Sequence, residues 1–245
     1  FDGAQALFVD AGHLLGSASI LLTLQEDGLT RTIAFSGDIG NTDQPIIRNP
    51  YYLTKADYVV MESTYGNRIH EGDGYTVEEL AQVIDDTLRK KGNVIIPSFA
   101  VGRTQELLYY IREMKARKLV QCDPDFPVYV DSPLALEATE VYSGDLRGYA
   151  DEETIQVLKS GFQPIRFSNL RLCRTAEESK LLNADEEPKV IISSSGMCEA
   201  GRTRHHLKHN LWRPECTILF VGYQANGTLG RLLVDGVDTV KLFGE

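Results

Sequence analysis

Hydrophobic and polar positions divide the chain into two stretches with different periods. In the first 62 residues, short apolar runs rich in Ile, Leu, Val and Thr are separated by polar turns, a pattern typical of β-strands. Residues 26–28 between two of these runs indicate a hairpin, because glycine adopts positive φ at little cost. Strands are predicted at 6–10, 19–25, 31–35 and 57–61.

From about residue 65 onward, helical and strand periods alternate. Thr76 with Glu79, and Thr175 with Glu178, form capping boxes that mark helix starts. Further helices are predicted at 104–118, after Pro133, around 151–159 and near 202–210, and strands at 93–97, 127–131, 189–192 and 217–221. This alternation predicts an α/β fold in which an initial β-layer is followed by a mostly parallel sheet flanked by helices.

Composition narrows the possible classes of protein. The formal net charge of −10 disfavours a basic protein that coats nucleic acid, although a local cleft can still bind a single strand. No apolar run approaches the roughly 20 residues that span a bilayer, so no membrane contact is predicted. The four cysteines lie far apart without a CxxC pair, which favours reduced thiols and a cytoplasmic location. A strand predicted within the first ten residues leads us to expect a segment of a longer protein.

Polar residues follow three of the predicted strands. His13 lies in DAGHLLGSA (10–18), Asp38 in FSGDIG (35–40) and Glu62 in MESTYG (61–66). Small neighbours let the backbone turn sharply and leave room for ions and substrate. Imidazole and carboxylate groups are common zinc ligands, and a carboxylate can bridge two ions. A single histidine at a strand end is more often structural, so the prediction depends on the three strings together.

These three strings resemble the later metal-binding motifs of the metallo-β-lactamase superfamily, and Glu62 resembles the first signature of its β-CASP branch. Four downstream strings also resemble bacterial β-CASP proteins: IPSFAVGRTQE (96–106), VDSP (130–133), SSSGMC (193–198) and GYQANGTLGR (222–231). The chain is similar to RNA-processing nucleases related to the nuclease subunit of the pre-mRNA 3′-end cleavage complex. The resemblance implies part of a metallo-β-lactamase domain at 1–66 and a β-CASP domain at 67–245.

The resemblance also implies roles for individual residues. His13 would ligate one of two zinc ions and Asp38 would bridge both, so that a bound water attacks an RNA phosphodiester. Glu62 would orient a histidine that acts as the general acid. The resemblance agrees with either endonucleolytic or exonucleolytic cleavage. It also leads us to expect a homodimer.

The 245 residues lack the HxHxDH motif of the family and its later histidine motifs. Two ligands cannot close a zinc site that uses three or four protein groups. The chain by itself is therefore predicted to bind zinc weakly and to be inactive. His205 and His209 are four residues apart on a predicted helix, where a polar face beside Arg202, Arg204 and Lys208 is favoured over a shared metal.

The second stretch is predicted to hold the RNA. Backbone N–H groups where a strand meets a helix can form a phosphate seat, and arginines can pair with phosphates. Ordinary turns and surface ion pairs are the alternative explanations. The predicted RNA-binding residues are Ser98, Gly102, Arg103, Ser194, Ser195, Gly196, Arg202 and Arg231.

Two other functions remain open at this point. A small-molecule hydrolase of the metallo-β-lactamase fold has no need of the α/β stretch after Glu62, which disfavours it. A non-catalytic relative that binds RNA or a partner subunit is disfavoured because His13, Asp38 and Glu62 are all present.

Overall fold

A computed structural model of the chain describes residues 2–64, 66–67 and 76–244. Tyr65 and His70 lie outside the described residues. The chain forms two compact units, the first made of residues 1–73 and 145–164 and the second of residues 74–144 and 165–245. The predicted domain boundary between residues 66 and 67 stays a prediction.

The first unit contains a four-stranded sheet in the order β1-β2-β3-β4. β1 and β2 are antiparallel, as are β2 and β3, whereas β4 runs parallel to β3. Asp27 and Gly28 both adopt positive φ in the predicted hairpin between β2 and β3. The strands are Ala4–Asp10 (β1), Ala18–Glu26 (β2), Leu29–Phe35 (β3) and Tyr58–Val60 (β4).

The same unit includes a segment that returns from later in the sequence. Ile47 forms a β-bridge with Ala150, and the N–H of Asp151 donates to the carbonyl of Ile46 at 3.0 Å. Asp151 also caps the helix that follows, because its carboxylate accepts the Thr154 N–H. This helix is α4 in chain order, Glu152–Lys159.

The second unit contains a five-stranded sheet in the order β7-β6-β8-β5-β9, in which every pairing is parallel. All four residues of β5, β6 and β8 are buried. Because neighbouring strand residues face opposite sides, this burial means that both faces of the sheet are covered. The strands are Val94–Pro97 (β5), Val128–Asp131 (β6), Leu170–Leu172 (β7), Val190–Ser193 (β8) and Thr217–Ile218 (β9).

Helices connect these strands, and the predicted α/β class is confirmed. Both predicted capping boxes are present, with Thr76 bonded to Glu79 and Thr175 to Glu178. The helices are Val77–Arg89 (α1), Arg103–Arg117 (α2), Pro133–Tyr142 (α3), Ala176–Ala184 (α5), Thr203–Asn210 (α6) and Leu229–Val234 (α7). No helix in the described part of the chain has the length and apolar composition required to cross a membrane.

Candidate active site and substrate-binding loops

Three strands of the first unit end at the same edge of their sheet. β1, β3 and β4 run in one direction, since β2 is antiparallel to both of its neighbours and β4 is parallel to β3. The C-terminal ends of these three strands therefore share one edge. His13, Asp38 and Glu62 follow the three strands by two or three residues each, which places all three loops at that edge.

Hydrogen bonds connect the loops to one another. The Glu62 carboxylate accepts the N–H of Ile39 at 2.5 Å, and the Glu62 N–H donates to the Ser36 hydroxyl at 3.1 Å. The N–H of Gly40 donates to the carbonyl of Ala11 at 2.9 Å. The Asp38 loop is thus fixed on one side to Glu62 and on the other to the turn that carries His13.

The close approach of these two loops requires glycine. A Cβ atom added to Gly40 would lie 1.6 Å from the carbonyl oxygen of Gly12, a distance that no side chain tolerates. Gly12 itself has a φ of +67° and lies against Pro50. From the sequence, the glycines beside His13 and Asp38 were expected to leave room for ions and substrate. In the structure, Gly12 and Gly40 allow two backbone segments to come into contact.

Glu62 is held in its ionised form. The N–H of Ile39 and then the hydroxyl of Thr64 lower its pKa; partial burial opposes this shift, and the charge of His13 adds to it. His13 therefore contributes to the electrostatic environment of the Glu62 carboxylate. His13 and Asp38 are themselves exposed, so both are accessible to an ion or a substrate.

The donor chemistry of this edge fits part of a zinc site. An exposed imidazole and an exposed carboxylate are two suitable ligands, and Glu62 acts on the backbone beside one of them. Among the described residues, no group of three or more His, Cys, Asp or Glu side chains is placed to hold a metal ion. His13 and Asp38 therefore fit as two ligands and do not close a site on their own.

In the second unit, two predicted RNA-binding loops lie side by side at the C-terminal edge of the parallel sheet. The N–H of Ser98 donates to the carbonyl of Ser193 at 2.9 Å. A Cβ on Gly196 would lie 3.1 Å from the backbone nitrogen of Phe99. The connections from β5 and β8 leave in opposite directions along the sheet, the arrangement that creates a ligand crevice in open α/β sheets.

Serine hydroxyls gather at this edge of the sheet. The Ser194 hydroxyl bonds that of Ser132 at 2.6 Å, next to the end of β6. The Ser195 hydroxyl accepts the backbone N–H groups of Glu199 and Ala200 at 3.1 and 3.3 Å. The structure thus brings Ser194, Ser195 and Gly196 together with the loop after β5.

Several of the backbone donors predicted to seat a phosphate at 98–104 are bonded within the protein. The N–H of Gly102 donates to the Gln105 side chain at 2.7 Å, and that of Arg103 donates to the carbonyl of Val101 at 3.2 Å. Ser98 is buried, and its N–H and hydroxyl also have internal partners. The backbone donors of these three residues thus have partners within the protein, and phosphate binding by this loop stays a prediction.

Two of the predicted phosphate-binding arginines form ion pairs along their own helices. Arg103 contacts Glu106 at 2.6 Å on α2, and Arg231 contacts Asp235 at 2.8 Å at the end of α7. Their side chains are 37% and 39% exposed, so both guanidinium groups still reach solvent. The surface ion pairs considered as an alternative are therefore present, and phosphate contact by these arginines stays a prediction.

Arg202 belongs to a buried polar network that the sequence reading missed. Asp131, at the end of β6, has no exposed surface and accepts hydrogen bonds from Ser179 (2.6 Å), Arg202 (2.7 Å) and His206 (2.6 Å). Arg202 also donates to the carbonyl of Cys173 at 3.1 Å. The guanidinium predicted to bind phosphate is therefore used to join α6 to the sheet.

Electrostatics keep Asp131 ionised despite its burial. Burial by itself raises its pKa, but the hydrogen bonds from His206, Ser179 and Arg202 outweigh that effect, and the pKa lies below its ordinary value. An aspartate directly after a fully apolar strand is the sequence signal for such a network, since a buried carboxylate requires charged or hydrogen-bonding partners. The VDSP string contained this residue, but the sequence reading gave it no role.

Comparison with known proteins gives one family match and several relatives. Residues 104–233, more than half of the chain, match the Beta-Casp domain. A ribonuclease of Thermus thermophilus is 38% identical over 99% of this chain and 54% of its own length. An RNase J-like protein of Methanocaldococcus jannaschii is 35% identical over 96% of this chain and 53% of its own length.

A third relative is transcription termination factor FttA of Pyrococcus abyssi, 32% identical over 96% of this chain and 36% of its own length. The chain thus spans about half, or less, of the length of these relatives. The family match covers α2 to α7 almost completely, including the serine-lined loop after β8 and the buried Asp131 network. The chain therefore belongs to the Beta-Casp domain family, as the strings in its sequence predict.

Proposed function

We propose that this chain is part of a zinc-dependent ribonuclease that hydrolyses RNA phosphodiester bonds. The observation that carries the proposal is the convergence of the His13, Asp38 and Glu62 loops at one sheet edge, tied together by the Ile39 and Gly40 amides. The relatives named ribonuclease and RNase J-like protein support RNA as the substrate. As part of the same proposal, the protein acts in the cytoplasm as a homodimer.

In this proposal the residues of the chain have distinct tasks. His13 and Asp38 supply two zinc ligands, while the remaining ligands come from outside these 245 residues. Bound zinc would lower the pKa of a water molecule and polarise the phosphodiester. Glu62 fixes the Asp38 loop through the Ile39 N–H and, as an ionised group, orients a histidine that gives a proton to the leaving oxygen.

The proposal is tested by substituting these residues in the full-length protein. Asp38→Asn keeps the size of the side chain but removes a charged ligand, so RNA cleavage is expected to fall about 100-fold or more and bound zinc to fall with it. Asp27→Asn is the matched control, because Asp27 occupies the exposed β2–β3 hairpin. Cleavage of an end-labelled RNA and zinc content by mass spectrometry are the two measurements.

The outcomes separate the competing functions. Unchanged cleavage and zinc content in Asp38→Asn would remove this residue from the site. RNA binding without cleavage in the wild-type protein would favour a non-catalytic relative. Hydrolysis of a small ester or lactam without any RNA cleavage would favour the small-molecule enzyme instead.

Because this chain supplies only two of the expected zinc ligands, we also propose that the 245-residue chain alone is inactive. Two protein ligands leave a tetrahedral zinc ion bound mainly by water, which gives weak binding. In equilibrium dialysis the isolated chain is expected to retain far less zinc than the full-length protein. Robust, metal-dependent RNA cleavage by the isolated chain would contradict this part of the proposal.

A further inference from the structure

Helix α6 is the cationic element of an acidic protein. Six of the nine residues from 202 to 210 are Arg, Lys or His, and none is Asp or Glu, whereas the whole chain carries a formal net charge of −10. Of these six residues, Arg202 and His206 contact Asp131 in the buried network. Arg204, His205, Lys208 and His209 lie on the intermediate or exposed side of the helix.

Aromatic rings accompany these cationic residues. Phe243 stacks on the His205 ring with centroids 4.5 Å apart and planes 28° apart. The Arg204 guanidinium lies 5.0 Å from the centroid of the Phe243 ring, and the Lys208 ammonium lies 6.0 Å from it. Trp212 lies just beyond the helix and is 75% exposed. Spacing by four residues places Arg204 and Lys208 on one side of α6, and Trp212 follows two residues after its end.

The opposite face of α6 is firmly anchored. His206 bonds Asp131 at 2.6 Å near the start of the helix. Near its end, the Asn210 side chain bonds the carbonyl of His206 at 2.9 Å and accepts from the Asn93 side chain at 2.8 Å. The outer residues are therefore displayed on a rigid support, which reduces the ordering cost of binding a ligand.

We infer that the outer face of α6, defined by Arg204, His205, Lys208, Trp212 and Phe243 and here called the α6 face, binds single-stranded RNA. Cations beside exposed rings match a phosphate backbone whose bases are unstacked and free to lie on aromatic side chains. The inference rests on the proposed function, because that function makes RNA the substrate. It assigns RNA contact to residues outside the loops identified from the sequence.

The electrostatic environment supports this assignment. Burial lowers the pKa of His209, and His206, His205 and Lys208 lower it further, as expected where the local potential is positive. Arg204 forms no ion pair with any described residue, and its buried Nε has no hydrogen-bond partner among them. An acidic polypeptide would match the positive charge of this face but would leave the exposed indole of Trp212 without a planar partner.

Intrinsic fluorescence gives a direct test, because Trp212 is the only tryptophan in the 245 residues. Titrating the chain with a single-stranded 12-nucleotide RNA is expected to quench Trp212 emission. Poly-glutamate of equal charge is expected to leave the emission unchanged. Equal quenching by poly-glutamate would point to an acidic protein partner and overturn the inference, as would the absence of quenching at RNA concentrations that saturate binding.

Substitutions test the cationic and aromatic parts separately. Arg204→Ala is expected to weaken RNA binding roughly tenfold at low salt and to reduce the slope of log Kd against log salt by about 0.7, the value for one phosphate contact on a single strand. Trp212→Ala is expected to weaken binding roughly fivefold or more through lost stacking. Arg147→Ala and Phe162→Ala are the matched controls, since both side chains are exposed in the first unit.

Failure of this inference is distinguishable from failure of the proposed function. If both α6-face variants bind RNA like the wild-type chain while Asp38→Asn abolishes cleavage by the full-length protein, only the α6 face is refuted. If wild-type full-length protein neither binds nor cleaves RNA, the proposed function is refuted as well. If circular dichroism shows that Arg204→Ala is unfolded, the RNA affinity of Trp212→Ala alone tests the inference, because Trp212 is exposed.

Discussion

At the scale of single residues, Asp131 is a buried carboxylate that contacts both Arg202 and His206. Asp131→Asn removes the negative charge that Arg202 and His206 face in the interior. Removing one partner of a buried ion pair costs about 3–5 kcal/mol, so urea unfolding is expected to show a loss of this size. Ser179→Ala deletes one hydrogen bond to the same carboxylate and is expected to cost about 1–2 kcal/mol. Equal, small losses in both variants would show that the charge contributes little.

The same carboxylate makes stability depend on pH with a definite sign. The pKa of Asp131 lies below its ordinary value of 3.8 in the folded protein. Its stabilising effect is therefore complete above about pH 3.8 and is lost as the pH falls through the lower, folded-state pKa. The free energy of unfolding is expected to fall steeply below pH 4 in the wild-type protein and less steeply in Asp131→Asn. Parallel pH profiles for the two proteins would contradict this.

The positions of polar residues just beyond the strands of the first unit were easier to predict than the contacts of the buried residues of the second. His13, Asp38 and Glu62 were predictable because each is a polar residue just beyond an apolar strand and has small neighbours. The contacts of Arg202 were not predictable, because Asp131 lies 71 positions away along the chain and only the folded sheet brings them together. An arginine in the sequence indicates a positive charge, but the sequence does not show which acidic group that arginine contacts.

At the scale of elements, local signals predicted starts and ends well where caps or long apolar runs were present. α1 begins at the capping box of Thr76, β5 lies within the run predicted at 93–97, and β8 overlaps the run predicted at 189–192 but extends to Ser193. Two short elements were missed, β7 and α7. β7 has three residues with an arginine at its centre, and α7 contains Gly230, which lowers helix propensity. Both depend on tertiary contacts: β7 pairs with β6, and the N–H of Gly230 donates to the carbonyl of Met197.

The loops of the candidate active site give a prediction at the same scale. Gly40→Ala would place a Cβ 1.6 Å from the carbonyl oxygen of Gly12 and force the Asp38 and His13 loops apart. A displacement of about 1 Å in a catalytic group can cost about 100-fold in rate, so cleavage by the full-length protein is expected to fall by that order. Gly222→Ala is the control, because a Cβ there meets nothing within 4 Å. Full activity in Gly40→Ala would show that these two loops need not touch.

At the scale of the whole molecule, the two units differ in how completely their sheets are buried. In the second unit every residue of β5, β6 and β8 is buried. In the first unit Phe8 is 64% exposed, and the consecutive residues Tyr58, Val59 and Val60 are 58%, 65% and 56% exposed. Because neighbouring residues of a strand face opposite sides, both faces of the four-stranded sheet present apolar side chains to solvent. Exposed apolar side chains on both faces of a sheet are typical of a surface that another segment or partner covers.

This difference predicts unequal local stability in the 245-residue chain. Backbone amides of β1 to β4 are expected to exchange with deuterium much faster than those of β5, β6 and β8, because an uncovered sheet opens at lower free-energy cost. In the full-length protein, whose relatives are about twice as long as this chain, the amides of β1 to β4 are expected to gain protection while those of β5 remain unchanged. Hydrogen exchange followed by mass spectrometry measures both strand sets in one experiment. Protection of β1 to β4 that already equals that of β5 in the isolated chain would mean that the first unit is stable without a covering layer. The weak zinc binding proposed for the isolated chain would then depend on the number of ligands alone.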